Sequence, residues 1–379
     1  MATSSGTARP EPSTSLQTSN SHVRVAIVGG GINGVMTAWA CARRGHTVEL
    51  FERETLMSGT SRASTKLLHG GIRYLENGEI HLVYESLHER TWWTTRAPQL
   101  AHPLRLFLPV YRGVGRPRWM LGAGLTLYDI LAFRHGFGRH RWYGRDDVVT
   151  HFPTLRPEGL IGAYAFYDAQ MDDHALGLWA ADQARHAGVT IHEHAQVTRV
   201  GPDGTVQIGD ATHRYDRVIN VGGPWAKALL DASGIAADHE LDLVRGSHLF
   251  LDGSLTDGLL VQVSGERRIC FVLPYQGRIL VGTTEVRQTL QEPIVCTPEE
   301  KTYLLGVYNQ YFTDTRTVDD VRGTFAGVRP LLRSAIDPSR ATREAAIERR
   351  GDLITVFGGK WTTSRILGEH AAAMLERNG

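Results

Sequence analysis

Residues 23–34 read Val-Arg-Val-Ala-Ile-Val-Gly-Gly-Gly-Ile-Asn-Gly, and how this stretch folds decides the architecture. The run to Val28 is β-branched and, Arg24 apart, continuously apolar, as a strand covered on both faces requires. The glycines then open an Ala-rich segment that reads as a helix to about Gly45, and Thr47 to Phe51 supplies the next strand. A strand, a crossover helix and a second strand within about thirty residues form a βαβ unit.

Gly29-x-Gly31-x-x-Gly34 sits where that unit would bind a pyrophosphate. Glycine permits the tight turn and a close backbone approach, and the free N–H groups and dipole of the following helix favour negative charge. Glu52 ends the next strand, eighteen residues after Gly34. A carboxylate there accepts hydrogen bonds from ribose hydroxyls and repels a 2′-phosphate, so FAD or NAD fits and NADP does not.

Further along, Asp173 to His186 predicts a helix, and short alternating segments fill 189–221 around a Pro-Asp-Gly turn at 202–204. Strands are expected at 243–251, 259–263, 267–273 and 278–284, in an antiparallel sheet. Thr297-Pro-Glu-Glu300 sets an N-cap, a first-turn proline and a capping-box glutamate in order, so a helix starts there. A strand at 353–357, Gly358-Gly359 and a helix from about Trp361 to Arg377 close the chain.

The segment Gly59-Thr-Ser-Arg-Ala-Ser-Thr-Lys-Leu-Leu-His-Gly-Gly-Ile-Arg-Tyr-Leu-Glu76 distinguishes the two cofactors. Ser61, Ser64 and Thr65 suit a pyrophosphate and ribitol cradle, and Gly70 and Gly71 allow backbone to approach a flat ring. Here the sequence resembles the FAD-dependent glycerol-3-phosphate dehydrogenase family, within the glycine-oxidase and D-amino-acid-oxidase superfamily. The resemblance continues through Tyr167–Leu176, Asn220–Trp225, Gly246-Ser247-His248, Gly282-Thr283-Thr284-Glu285, Gly327-Val328-Arg329-Pro330, Thr342-Arg343-Glu344 and Phe357–Thr363. It implies an α/β fold: a Rossmann-like FAD-binding domain formed discontinuously by 23–90, 150–225 and 320–379, and a smaller substrate domain built on an antiparallel sheet by 91–149 and 226–319. Two local departures stand out, Val221-Gly222-Gly223 for Ala-Thr-Gly and Ser364 for Tyr. The helical C-terminal domain of the respiratory members is expected to be absent.

The resemblance further implies oxidation of sn-glycerol 3-phosphate by hydride transfer to N5 of non-covalent FAD. The competing readings are another phosphorylated or phosphonate hydroxy compound and a non-catalytic flavin-binding subunit. Arg329, Arg343 and Lys360 are the expected anion clamp, with Tyr74, His248 and Thr283 lining the same pocket. An arginine offers a planar fork and a lysine a point charge. Of these groups His248 is the chemically better proton acceptor, while Arg329 would stabilise a developing alkoxide. The cofactor set is Gly29, Gly31, Gly34, Glu52, Ser61, Ser64, Thr65, Lys66, His69, Gly70, Gly223, Gly359, Lys360 and Thr362. Asp172, Asp173 and His174 read as helix-start residues, so no metal is expected.

Composition excludes other classes. Lys+Arg 41 against Asp+Glu 40 leaves a net charge of +1, so the global basic footprint of nucleic-acid binding is missing. Three scattered cysteines provide neither a disulfide framework nor a CxxC metal site. No apolar run is long enough to span a bilayer and no signal peptide is recognisable. Residues 1–22, rich in Ser, Thr and Pro, read as a disordered tail, and a cytoplasmic location is expected. Within 116–141, the apolar stretch Trp119–Phe133 is flanked by Arg116, Arg118, Arg134, Arg139 and Arg141. That pattern suits a helix lying on the inner membrane face and receiving quinone; oxygen is the other acceptor considered. The competing readings of this segment are a helix packed on the substrate domain and a contact within a homo-oligomer.

Overall fold

The computed structural model describes residues 22–266, 268–333 and 345–376. The Arg24–Val28 strand is buried along four of its five residues and lies at the centre of a six-stranded sheet. Thr47–Phe51 and Arg217–Asn220 flank it in parallel, with Val28 in register with Phe51 and Asn220. Thr190–His192 and Leu353–Gly358 extend the parallel set, and Ala345–Arg350 closes one edge antiparallel. Parallel strands need helical crossovers that cover both faces, which is why this strand carries no polar alternation.

Eight α-helices lie among the described residues: α1 (Ile32–Arg43), α2 (Ile80–Arg96), α3 (Arg118–Leu131), α4 (Arg145–His151), α5 (Asp173–His186), α6 (Ala226–Ala232), α7 (Pro298–Tyr311) and α8 (Ser364–Ala373). Helices α1, α5 and α8 bury Val35, Met36, Leu176, Ala180, Leu367 and Ala371 against the parallel sheet. The final helix starts at Ser364 rather than Trp361, because the turn through Gly358 and Gly359, both at positive φ, delays its first turn.

The second sheet has ten strands. Its backbone is Ala101–Tyr111 paired antiparallel with Leu160–Met171, and Leu241–Asp252 paired antiparallel with Val321–Leu332. Gly258–Gln262, Ile269–Tyr275 and Arg278–Gly282 fill the middle. The expected antiparallel segments are present, with the third shifted by about two residues. Leu160–Met171 and Val321–Leu332 run in this sheet although they fall inside the intervals read as FAD-binding. The 189–221 region divides: its outer segments join the parallel sheet, and Val197–Val200, Thr205–Ile208 and Ala211–Arg214 form a separate three-stranded sheet.

Local signals at helix starts hold. Thr297 accepts the Glu300 N–H while Glu300 accepts the Thr297 N–H, with Pro298 in the first turn. Asp172 caps α5 by accepting the Ala175 N–H at 3.0 Å.

Candidate active site

A cavity of about 590 Å³ runs from the C-terminal edge of the parallel sheet into the gap against the ten-stranded sheet. The glycine turn forms one end. Gly29 has φ +113°, and a Cβ there would lie 2.6 Å from the Val221 carbonyl oxygen; one on Gly34 would lie 1.9 Å from the Gly29 oxygen. Gly29 and Gly31 face the cavity, whereas Gly34 lies behind them and holds α1 against the turn. Glu52 faces the same end and accepts the Gly30 N–H at 2.6 Å, which fixes its carboxylate beside the turn. Ser61 accepts the Ile32 N–H at 2.9 Å, so its hydroxyl stands at the start of α1. Gly223, Gly359 and Thr362 complete the wall. Backbone donors at a helix start, close glycines, hydroxyls and one carboxylate are the donor set that an elongated dinucleotide requires, so the residues present fit FAD.

The other end is cationic. Arg329 and Lys360, both expected, line it with Tyr74, Thr283 and His69. Arg329 donates to the Thr283 hydroxyl at 3.0 Å. Their approach depends on Gly246, where a Cβ would lie 2.5 Å from both the Arg329 guanidinium and the Thr283 Oγ1. The Lys360 ammonium lies 4.0 Å from the Tyr74 ring centroid and donates to Ser86 Oγ at 3.3 Å. His69 is the other neighbour of that ring, stacked with Tyr74 at a centroid distance of 6.4 Å.

Sequence reasoning missed two further cations here. Arg73 and Arg268 line the cavity and flank Glu285 at 3.7 and 3.8 Å, and Arg268 also donates to the Thr283 carbonyl at 3.2 Å. Arg73 stands inside the 59–76 segment, but Arg268 precedes a strand in an otherwise ordinary polar turn and carries no local signal. Arg343 lies outside the described residues.

Besides Gly34, three expected residues sit behind the cavity wall. Lys66 is buried: its ammonium donates to Asp173 and to the Arg62 carbonyl, each at 2.7 Å. Asp173 also accepts the Ser64 N–H and hydroxyl, so this carboxylate organises the 62–66 turn from behind. Gly70 packs against Leu87 and Tyr128, and its N–H reaches Asp168 at 3.1 Å. Asp168 in turn receives Arg90 and Tyr128, each at 2.7 Å. Burial pushes the Asp168 carboxyl up, with Arg90 as its counter-charge.

His248 is the third. It is 1% exposed, stacks on Phe325 at 4.6 Å and meets the Thr65 hydroxyl through Nε2 at 3.0 Å. Burial pushes its pKa well below the usual 6.5, and the positive charges of Arg329 and Lys66 push it the same way. The expectation of a histidine base therefore meets two obstacles: the ring lies behind the cavity wall, bonded to the lining residue Thr65, and its basicity is depressed.

Among the described residues no group of three His, Cys, Asp or Glu could hold a metal ion, and no helix is long and apolar enough to cross a membrane.

The profile of the family described as FAD dependent oxidoreductase matches residues 24–374. A glycerol-3-phosphate dehydrogenase of Pseudomonas aeruginosa is 36% identical over 378 residues, covering 93% of this chain and 71% of that protein. The aerobic glycerol-3-phosphate dehydrogenase of Escherichia coli is 34% identical over 370 residues, covering 92% and 72%. Among solved structures, the glycerol-3-phosphate dehydrogenase of Bacillus halodurans complexed with FAD is similar at TM-score 0.74 and 25% identity, covering 94% of this chain and 66% of that one. Glycine oxidase of Geobacillus kaustophilus shares the fold, with TM-score 0.72 at 20% identity.

Proposed function

This chain belongs to the family of FAD dependent oxidoreductases, and we propose that it oxidises the secondary alcohol of sn-glycerol 3-phosphate to the ketone of dihydroxyacetone phosphate. The observation that carries the reading is the continuity of one cavity from a dinucleotide cradle to an end lined by Arg73, Arg268, Arg329 and Lys360. A compact phosphate dianion asks for such a set more than a single amino-acid carboxylate does.

FAD, when bound, supplies the hydride acceptor; the residues must bind, orient and exclude water. Gly29, Gly31, Glu52, Ser61, Gly223 and Thr362 would hold the nucleotide. Arg329 and Lys360 bind the anionic substrate, and Arg343 is proposed as a further clamp residue on sequence grounds. Arg329 remains protonated at any working pH, so against the hydroxyl oxygen its role is to stabilise developing negative charge rather than to take a proton. Thr65 orients toward the cavity through its bond to His248 Nε2, which makes His248 a positioning residue in this reading. The N-terminal approach to α8, through Gly359 and Lys360, favours negative charge on that side of the site.

The test is anaerobic reduction of the purified yellow protein with glycerol 3-phosphate. Bleaching of the visible flavin band is expected. Bound FAD that stays oxidised would reject this substrate and favour another phosphorylated or phosphonate alcohol; silence toward all anionic alcohols would favour a non-catalytic flavoprotein.

Quinone or oxygen is proposed as the acceptor, and α3 as the membrane contact. What supports the contact is the outward projection of Trp119, Ile130 and Phe133, 75%, 63% and 74% exposed, beside arginines at both helix ends.

A further inference from the structure

Five of the eight tryptophans form a continuous series between the cavity and the surface. Trp361 lines the cavity, and its ring centroid lies 5.0 Å from that of the fully buried Trp93 on α2. From Trp93 two branches lead outward. One passes Trp92 at 4.9 Å and the other Trp179 on α5 at 6.2 Å. Both reach Trp39 on α1, at 6.0 and 6.2 Å. Aliphatic side chains would fill this core between helices without the demand that each buried indole N–H makes for an acceptor.

We propose that these indoles are a one-electron relay that carries an oxidising equivalent from the flavin site to the protein surface. The proposal rests on the reading that the cavity binds FAD. Trp361 gives one electron to the light-excited, oxidised flavin ring, and the electron stays there. Trp93 refills Trp361, Trp92 or Trp179 refills Trp93, and Trp39 refills either, with no bond made or broken.

The hydrogen bonds separate the relay from its terminus. The Trp361 N–H donates to the Ser61 carbonyl at 3.0 Å and the Trp93 N–H to the Thr362 carbonyl at 3.2 Å. Amide carbonyls accept such bonds but do not take the proton, so the inner rings stay cationic and the vacancy remains mobile. The outer rings differ. Arg43 lies 5.4 Å from the Trp39 ring, and Arg365 and Arg96 lie 5.4 and 5.9 Å from Trp92. Both indoles are partly exposed. Arg43 and Arg365 are paired with Glu369 and Glu89, so the charges beside these rings are largely balanced, and it is exposure that lets an oxidised outer ring lose its N–H proton to water, which strands the radical at the surface. An external thiol then returns one electron and one proton, breaking its S–H bond, and two thiols oxidised in this way end joined as a disulfide.

The experiment illuminates the FAD-loaded protein with blue light, anaerobically and with dithiothreitol, and follows loss of the visible flavin band. FAD occupancy is first read from the absorption spectrum; a chain that takes up no FAD overturns the cofactor reading and the relay together. With FAD bound, Trp93→Phe is expected to slow photoreduction several-fold at unchanged occupancy. Because Trp93 is fully buried, the partly exposed pair Trp92→Phe with Trp179→Phe provides an independent break: each alone slows the reaction less than both together. Peptide mapping after aerobic illumination should find oxidised Trp39 and Trp92 in the parent and oxidised Trp361 in Trp93→Phe. Parent-like photoreduction in Trp93→Phe and in the double variant, or oxidation confined to Trp361 in the parent, would overturn the relay while leaving FAD binding intact.

Discussion

Arg329 is the side chain on which the anion-binding proposal weighs most. Its guanidinium is fixed by the Thr283 hydroxyl and by the space that Gly246 leaves, so the fork is preorganised rather than recruited. A charged hydrogen bond contributes about 1.5–3 kcal/mol, so Arg329→Ala should lower kcat/KM for the phosphorylated alcohol about 10- to 100-fold. Steady-state kinetics with unchanged kcat/KM would remove Arg329 from the clamp. His248 makes a separate prediction. Its native pKa lies below its unfolded value, so between the two the unfolded chain binds more protons and stability rises with pH. The parent should therefore lose stability as pH falls below about 6.5, by at most the one-proton slope of about 1.4 kcal/mol per pH unit. His248→Gln should show a shallower acid limb in denaturant titrations across that range; parallel curves would mean that His248 is not the titrating group. The sequence named Arg329 but did not announce the burial of His248, because a histidine between Ser247 and Leu249 reads alike whether it faces solvent or a sealed pocket.

At the scale of elements, the strand-turn-helix at 24–43 and the start of α7 follow from local rules: glycine conformational freedom in the first case, a reciprocal cap in the second. Helix α3 obeys a different logic. Leu125 and Tyr128 pack inward, and the Tyr128 hydroxyl ties the helix to Asp168 behind Gly70. Trp119, Ile130 and Phe133 project into solvent. The sequence offered packing and membrane contact as alternatives; one face packs, and the exposed face is the one that the proposed membrane contact would use. Flotation with anionic vesicles at low salt should carry the parent upward, and Trp119→Ser with Phe133→Ser should leave it in the soluble fraction. A parent that stays soluble would sink the membrane contact.

For the whole molecule, the cavity exists only because two sheets approach each other. Residues as far apart in sequence as Gly29, Arg73, Arg268 and Lys360 line it together. A ligand that occupies such a gap binds the folded chain and not the unfolded one, so FAD at a hundredfold excess over its Kd should raise stability by about 2.7 kcal/mol. A thermal melt of apoprotein and reconstituted protein measures this directly; an unchanged Tm at saturating FAD would place the cofactor elsewhere.

The sequence by itself determined the glycine turn and the carboxylate at one end of the cavity, and named Arg329 and Lys360 at the other. Gly29, Gly31, Gly34 and Glu52 act through backbone geometry and short-range spacing, which a linear pattern records in full. Only the tertiary structure decided that Arg73 and Arg268 join Arg329 and Lys360, that Lys66 and Asp173 form a buried pair behind the wall, and that His248 is buried behind Thr65. Each of these depends on contacts between segments tens to hundreds of residues apart, and on the burial those contacts create. Burial sets whether a charge faces a ligand or a counter-ion, and no local sequence signal encodes it.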